Sequence, residues 1–272
     1  MSARAAVSPR SNPGAKWFYC GFPRRGGPQA VCRGGTLPPR RAAAGSKVAW
    51  WPDLSTRRRQ PERMDDPSLP GSRHRAALRG LDRLQVVSRT AARIWSAAKP
   101  HVAGEEVRWL DVACGSGRIL RDVTRRADTD GVRVRTVSVD LSATAAGSTG
   151  RGVVADARRL PLADGSMNVA SCSLFLHHLE PEDVIAVLQE MSRVARVVIV
   201  DDLRRTRTGH LLAHAAGRLF SRSPVVHYDG PVSVEGAFTT DELTALAELA
   251  GLTGVRAWQQ WPQRTLIASA PP

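Results

Sequence analysis

The chain of 272 residues has little of what several protein classes need. Its four cysteines, Cys20, Cys32, Cys114 and Cys172, show no CxxC or CxxH spacing, which argues against a zinc site and against a disulfide scaffold. This cysteine usage is typical of a reducing, cytoplasmic interior. The all-apolar runs are short, such as Val197–Val200, so the sequence predicts no segment that spans a bilayer.

Acidic residues are scarce in the first quarter of the chain. Residues 1–63 hold 13 of the 39 lysines and arginines against only Asp53 and Glu62, a net charge of +11, whereas the chain from Met64 onward carries +3. This segment is rich in Arg, Pro, Gly and Ala and has no helical or alternating apolar period, so we predict a disordered tail. The folded part is nearly neutral, and we do not expect it to bind nucleic acid.

Three interpretations of residues 1–63 are open. The segment can be a nucleic-acid-binding arm, with Arg57–Arg59 on phosphates and Trp50 and Trp51 as stacking partners. It can be an organelle transit segment, which would also be rich in arginine and poor in acids. We favour the third interpretation, in which translation starts at Met64 and the tail is not part of the natural protein.

The chain from Met64 to residue 272 has the texture of one folded domain. Apolar residues at helical spacing from Leu78 to Ile94 predict an amphipathic helix that ends before Pro100. Strands are then expected at residues 107–113, 134–140, 152–157, 167–176, 196–203, 254–261 and 264–270, and helices at 117–127, 181–195, 208–223 and 239–251, with a loop at 224–238. This alternation predicts an α/β fold, with a doubly wound, seven-stranded, mostly parallel sheet behind an N-terminal helix.

A glycine-rich stretch, WLDVACGSGRIL, follows the first predicted strand. Asp111 ends the strand, and Ala113, Gly115 and Gly117 follow at every second position. Such a loop lets the backbone pass close to a ligand and turn into a helix whose free N–H groups favour an anion. A dinucleotide loop would have a third glycine where Leu120 stands. The loop therefore favours a different adenosine-containing cofactor, with a purely structural turn as the alternative.

Two further strand ends carry suitable polar groups. Asp140, at the end of the second strand, can accept hydrogen bonds from a ribose diol, although Asp140 or Ser142 could instead cap a helix. Asp156 and Ala157, at the end of the third strand, offer a carboxylate for an adenine amino group and a backbone N–H for a ring nitrogen.

Taken as a set, the segments DVACGSG, SVD, ADA…LPLADGSMNVASCSLFLHHL and RVARVVIVDDL resemble the class I S-adenosylmethionine-dependent methyltransferases, a Rossmann-like family. Within that family they are most similar to the ubiquinone/menaquinone-biosynthesis-like branch, which acts on small molecules. The resemblance covers about residues 75–270. It implies that the Gly115–Gly117 loop holds the methionine end of S-adenosylmethionine, Asp140 the ribose, and Asp156 with Ala157 the adenine. Ala113 departs from the all-glycine form of the motif.

Methyl transfer needs an acceptor aligned with an already activated methyl group and shielded from water. A general base helps for a phenol or an acidic carbon. The candidates are His177 and His178 at the tip of strand four and His227 in the expected loop. Asp201 and Asp202, at the tip of strand five, are a further pair. The alternatives are packing or capping for the histidines and surface pairing with Arg204 and Arg205 for the two acids.

The absence of certain motifs limits the possible classes of methyl acceptor. Strand four ends in SCSLFL instead of the Asn/Asp-Pro-Pro-aromatic motif of nucleic-acid amino methyltransferases, and no group of acids and histidines indicates a metal site. We therefore expect a small-molecule acceptor, aromatic or polyketide-like, methylated at oxygen or carbon. The segment from Arg204 to Phe238, with Leu211, Leu212, Ala215 and Leu219 on one helical face, is the expected acceptor lid. The alternatives are an RNA or ribonucleoprotein methyltransferase that uses the basic tail, a nicotinamide-dependent reductase, and a cofactor-binding protein without catalysis.

Overall fold

The computed structural model describes residues 52–66, 68–102, 104, 106–150 and 152–270. Residues from Leu54 onward form one compact unit, so the expected boundary between residues 63 and 64 falls inside this unit. The predicted disorder of residues 1–51, together with Trp50 and Trp51, lies outside the described residues. No helix in the described ranges is both long and apolar enough to cross a membrane.

Within the described residues, seven strands form one mixed sheet, as the alternation predicts. They are β1 Glu106–Val112, β2 Arg133–Asp140, β3 Gly152–Val154, β4 Met167–Ser173, β5 Ala195–Leu203, β6 Arg256–Gln260 and β7 Arg264–Ser269. Their order is β3-β2-β1-β4-β5-β7-β6, and only β7, against β5 and β6, pairs antiparallel. The direction of strand succession reverses between β1 and β4, which is where ligands bind in doubly wound sheets.

Helices cover both faces of the sheet. They are α1 Gly71–Val87, α2 Thr90–Ala98, α3 Arg118–Thr129, α4 Ala143–Ser148, α5 Pro181–Val194, α6 Arg207–Phe220, α7 Pro224–Gly236 and α8 Thr240–Leu249, with 3-10 turns at Arg63–Asp65, Lys99–His101 and Leu176–His178. Successive strand residues face opposite sides. In β1, Leu110 and Val112 pack in the core beneath α5 and α8, whereas Val107 and Trp109 pack in the core beneath α2 and α3.

The predicted N-terminal helix is two helices. Arg89 adopts a left-handed conformation (φ 56°) between α1 and α2. This turn redirects the chain, and Ile94 and Trp95 of α2 are buried against the sheet while Val87 at the end of α1 is half exposed. The apolar period continues across the break, which is why it predicted one helix.

The loop expected at 224–238 was wrong, because this segment forms α7. Its prolines and glycines predicted irregular chain, but Pro224 occupies the first turn, where a missing N–H costs nothing. Pro231 lies inside the helix, which is retained because buried residues such as Val226 and Val232 pack against neighbouring elements. Tertiary packing thus overrides a weak local helix preference.

Candidate active site

The glycine-rich loop between β1 and α3 has the conformation that its small residues suggest. Ala113, Gly115 and Gly117 all have left-handed backbone, with φ of 56°, 51° and 66°. A Cβ atom on Gly117 would lie 2.7 Å from Cγ2 of Thr149, so this position requires glycine. Ala113 adopts a left-handed conformation, which is unfavourable for any residue other than glycine. Strained backbone positions of this kind cluster at ligand-binding sites.

Asp140 ties this loop to the end of β2. Its Oδ2 accepts from the Gly115 N–H (3.0 Å) and its Oδ1 from the Ser142 N–H (2.9 Å). The cap of α4 is the Ser142 hydroxyl, which accepts from the Ala145 N–H. A carboxylate has about four acceptor sites, so Asp140 retains the capacity to accept from a diol.

Asp111 lies beneath the loop and is nearly inaccessible to solvent. Its Oδ1 accepts from the Ser171 hydroxyl at 3.3 Å, and that hydroxyl in turn accepts from Nε1 of Trp109 at 2.8 Å. Burial raises the pKa of Asp111 to about 7, and the nearby Asp140 adds to the shift. A buried carboxyl with one weak hydrogen bond is a favourable neighbour for a cationic ligand.

The end of β3 is brought next to Asp140, as the parallel pairing requires. The Ala155 N–H donates to the Asp140 carbonyl at 3.1 Å, which places Asp156 and Ala157 directly beyond it. Both Asp156 oxygens accept from the guanidinium of Arg158, the shorter contact being 2.7 Å. An adenine amino group must therefore share this carboxylate with Arg158.

On the other side of the switch point, the chain leaves β4 through a strained residue. Leu174 has φ 54° and donates its N–H to the Asp201 carbonyl. The 3-10 turn that follows buries His177, whose Nδ1 lies 2.6 Å from Oδ1 of Asp202. Because a carboxylate only accepts, Nδ1 carries the hydrogen and Nε2 faces away from Asp202.

The two histidines are in opposite electrostatic situations. Burial opposes protonation of His177, but Asp202 outweighs it and raises the pKa of His177. Burial likewise opposes ionisation of Asp202, yet the attraction of His177 lowers its pKa to about 2. For His178, burial and the neighbouring His177 lower the pKa to about 3. The planes of the two rings are tilted by 35° to each other, and the ring centroids are 4.1 Å apart.

His227 is not brought to this pair. Its Nε2 lies 2.8 Å from the carbonyl oxygen of Ser221, at the beginning of α7. The part of α7 next to the His177 carbonyl is Gly236, nine residues further along the helix, or about 13 Å at the usual helical rise.

A residue that the structure places beside the two histidines, and that the sequence did not reveal, is Glu62. Its Oε1 lies 3.7 Å from Nδ1 of His178 and 3.9 Å from Nε2 of His177, and it accepts from the Ser233 hydroxyl at 2.5 Å. Burial raises the pKa of Glu62 to about 7. Its one sequence signal is that it and Asp53 are the only acids in residues 1–63.

Arg57 anchors the segment that carries Glu62. Its guanidinium donates to the carbonyl oxygens of Gly236 (2.6 Å), His177 (3.0 Å) and Leu179 (2.6 Å), and lies 4.1 Å from the ring centroid of Phe238. Residues 54–66, of which 54–63 were predicted as part of the tail, thus pack over the histidine turn.

The two acids near the carboxyl end of β5 do not make the surface pairs that were considered. Asp201, fully buried, pairs with Arg93 and Arg264 at 2.9 Å each, and Asp202 pairs with His177. Arg205 bonds Glu242 instead.

The apolar face of α6, which was expected to belong to an acceptor lid, is largely exposed to solvent. Leu211, Ala215 and Leu219 of α6 are exposed, whereas Leu212 is half-buried. The element of this segment that packs on the histidine turn and on residues 54–66 is α7.

Two cavities of about 320 and 310 Å³ border α3. One is lined mainly by residues of α1, α2 and α3, including Arg89, Arg118 and Arg125, and the other by the turn into β2. Neither contains a residue of the predicted site.

Residues 110–197 match a family described as a methyltransferase domain. No curated protein matches the chain, whereas many solved structures do.

The chain is similar to the plantazolicin methyltransferase BpumL, solved with a monoazolic desmethylPZN analog and SAH, at 10% identity and a TM-score of 0.56 over 74% of this chain and 91% of that one. It is similar to human N-acetylserotonin methyltransferase in complex with SAM, at 13% identity and a TM-score of 0.52 over 70% of this chain and 53% of that one. It is also similar to a chain of the complex between the Haloferax volcanii Trm112 methyltransferase activator and a methyltransferase. The identity is 16% and the TM-score 0.52, over 75% of this chain and 100% of that one. At these identities the likeness shows the fold.

The matched segment contains the glycine-rich loop, Asp140, Asp156 and the histidine turn, which decides between a methyltransferase and a nicotinamide-dependent reductase. Residues 110–197 are therefore identified as a methyltransferase domain, and the chain around them has the fold of the S-adenosylmethionine-dependent methyltransferases to which it is similar.

Proposed function

We propose that this methyltransferase acts on a small-molecule acceptor, aromatic or polyketide-like, at an oxygen or carbon atom. The observation that carries the proposal is the buried His177–Asp202 pair at the carboxyl end of β4, covered by α7 and residues 54–66. A covered site of this kind suits a compact acceptor that can be enclosed and shielded from water. A polymer would need an open groove with basic lining.

In this proposal the cofactor lies across the carboxyl ends of β1, β2 and β3. The Ala113–Gly117 loop takes the methionine end, Asp140 the ribose, and Asp156 with Ala157 the adenine. The cofactor supplies a methyl group activated by a sulfonium charge. Asp111, whose burial is costly when ionised, compensates positive charge below the loop.

His177 and His178 act on the acceptor. Asp202 fixes the orientation of the His177 ring through Nδ1, so Nε2 is presented toward Glu62. These groups promote ionisation of an acceptor hydroxyl or acidic carbon. His227 would contribute separately, from the far end of α7.

The cofactor assignment is tested by isothermal titration of S-adenosylhomocysteine into the full chain. Asp140→Ala removes the acceptor of two loop hydrogen bonds as well as the ribose partner, and we expect affinity to fall at least about 100-fold, or about 2.7 kcal/mol. Asp128→Ala, an exposed aspartate at the end of α3, is the matched control and should bind normally. Unchanged affinity in Asp140→Ala would contradict the site.

The acceptor class is tested with methyl-labelled S-adenosylmethionine. We expect label in the low-molecular-mass fraction of an extract from cells that make the protein. Label in RNA or in ribonucleoprotein, lost on deletion of residues 1–53, would favour the alternative in which the basic tail recruits a polymer.

We also propose that the protein works in the cytoplasm, since Cys114 and Cys172 are both free thiols. Cell fractionation followed by immunodetection checks this, and recovery only from an oxidising compartment would contradict it.

A further inference from the structure

Three potential metal ligands converge at the covered side of the site. Glu62, His177 and His178 each offer one ligand atom, and these atoms lie within 4.8 Å of one another. The two distances from Glu62 Oε1 to the histidine nitrogens are 3.7 and 3.9 Å. Ligand atoms around a tetrahedral ion with bonds near 2.0–2.1 Å are separated by about 3.3 Å. Small side-chain rotations would therefore close the group around one ion.

The surroundings of the three ligands resemble the outer shell of a metal site. A metal-bound histidine usually donates its other ring N–H to a carboxylate, which fixes the ring and raises its basicity. His177 has this arrangement, with Nδ1 held by Asp202 at 2.6 Å. Asp202 is itself held by the backbone N–H groups of His177 and Leu203. Glu62 is oriented in the same way by the Ser233 hydroxyl.

The negative charge of the Glu62 carboxylate also favours a bound cation. In the described part of the chain, Glu62 has no lysine or arginine within ion-pair distance, and its ion-pair contacts are the two histidines. Asp65 and Asp229 add further negative potential at Glu62. The neighbouring Arg57 and Arg59 are paired with Glu180. A buried carboxylate without such a partner is costly unless a cation compensates it.

We propose that Glu62, His177 and His178 bind one divalent transition-metal ion, and that Zn²⁺ is the ion they fit best. Two imidazoles and one carboxylate form a ligand set of catalytic zinc sites, in which a fourth position stays open for water or substrate. Affinity for such ligands is also much higher for Zn²⁺ than for Mg²⁺ or Ca²⁺, which prefer oxygen.

The role of the ion rests on the proposed function. An acceptor hydroxyl in the open position would lose its proton to solvent more readily, because a bound cation lowers the pKa of a coordinated oxygen. The oxygen then forms the new C–O bond as the C–S bond of the cofactor breaks, giving a methyl ether and S-adenosylhomocysteine. This selects oxygen, in a hydroxyl-bearing acceptor, over carbon.

Metal binding is tested on the full chain after removal of bound metal with a chelator. Zn²⁺ is titrated calorimetrically, and Co²⁺ is used as a spectroscopic probe of coordination. We expect one ion per chain. Glu62→Gln and His178→Gln should each weaken Zn²⁺ binding by at least about 10-fold and alter the Co²⁺ spectrum, and Asp202→Asn should weaken binding by about 10–100-fold through the orientation of His177.

Glu182→Gln, an exposed glutamate at the start of α5, is the matched control and should leave Zn²⁺ binding unchanged. S-Adenosylhomocysteine binding and thermal unfolding are measured on the same samples, so that a misfolded variant is recognised and the other ligand variant decides. Protein that binds S-adenosylhomocysteine but no stoichiometric Zn²⁺ would overturn the metal site and leave the methyltransferase proposal standing. Equal Zn²⁺ affinity in the parent, Glu62→Gln and His178→Gln would also overturn it.

Discussion

Arg57→Ala tests whether residues 54–66 are an integral part of the domain. The Arg57 side chain is only 13% exposed. It supplies three hydrogen bonds to carbonyl groups that belong to the histidine turn, to the segment after it and to the end of α7. The substitution removes all three donors together with the contact over Phe238.

The expected loss follows from these contacts. A hydrogen bond to a charged group contributes about 1.5–3 kcal/mol, and a cation over an aromatic ring about 0.5–1 kcal/mol or more. Burial of the guanidinium offsets part of this, as its lowered pKa shows. We expect the free energy of unfolding to fall by about 3 kcal/mol, which corresponds to a decrease in Tm of about 6–12 °C for a domain of this size.

The assay is urea and thermal unfolding of the full chain. Arg58→Ala is the matched control, since Arg58 is the neighbouring residue, carries the same charge and has an exposed side chain. Its effect should stay within about 0.5 kcal/mol. If Arg57→Ala is as mild as Arg58→Ala, the segment does not hold the histidine turn and the reasoning fails.

Two further predictions concern the glycine-rich loop and the carboxyl group beneath it. Burial raises the pKa of Asp111 to about 7, so the protein is most stable while Asp111 is protonated. The free energy of unfolding is therefore undiminished below about pH 4 and decreases as the pH rises to about 7. A shift of three pKa units corresponds to about 4 kcal/mol. Urea unfolding of ligand-free Asp111→Asn should therefore show a growing advantage over the parent protein between pH 4 and 8, and parallel pH profiles would contradict this. Gly117→Ala places a Cβ 2.7 Å from Thr149 Cγ2 at positive φ and should weaken S-adenosylhomocysteine binding by at least about 10-fold, whereas Gly115→Ala, with open space around its Cβ, should have a smaller effect in the same titration.

The sheet could be predicted because its signal is local. Each strand is a short apolar run bounded by turn residues, and Gly115 and Gly117 predict the left-handed backbone of the loop after β1. The alternation of strands and helices predicts parallel strands joined by right-handed crossovers, whereas the strand order is seen only in the folded chain. The helix α7 could not be predicted, because its prolines and glycines are unfavourable locally and only the packing of Val226 and Val232 against other elements retains it.

The covered side of the site was predicted only in part. His177 and His178 stand out in the sequence because they follow a buried strand. Glu62 does not, since 115 residues separate it from His177 and it lies in an arginine-rich segment that looks like a tail. No local period signals such a long-range contact, which depends on how Arg57 docks on carbonyl groups of the folded chain.

By itself, then, the sequence determined the α/β class, the seven strands of the described residues and the glycine-rich loop after β1, because apolar periodicity and glycine conformation act over a few residues. The tertiary structure decided which groups surround the histidine turn. Only the folded chain brings Glu62 to the two histidines, buries Asp201 and Asp202 with partners from distant elements, and turns the apolar face of α6 outward. These outcomes depend on desolvation and on contacts between residues far apart in sequence, which no local pattern encodes.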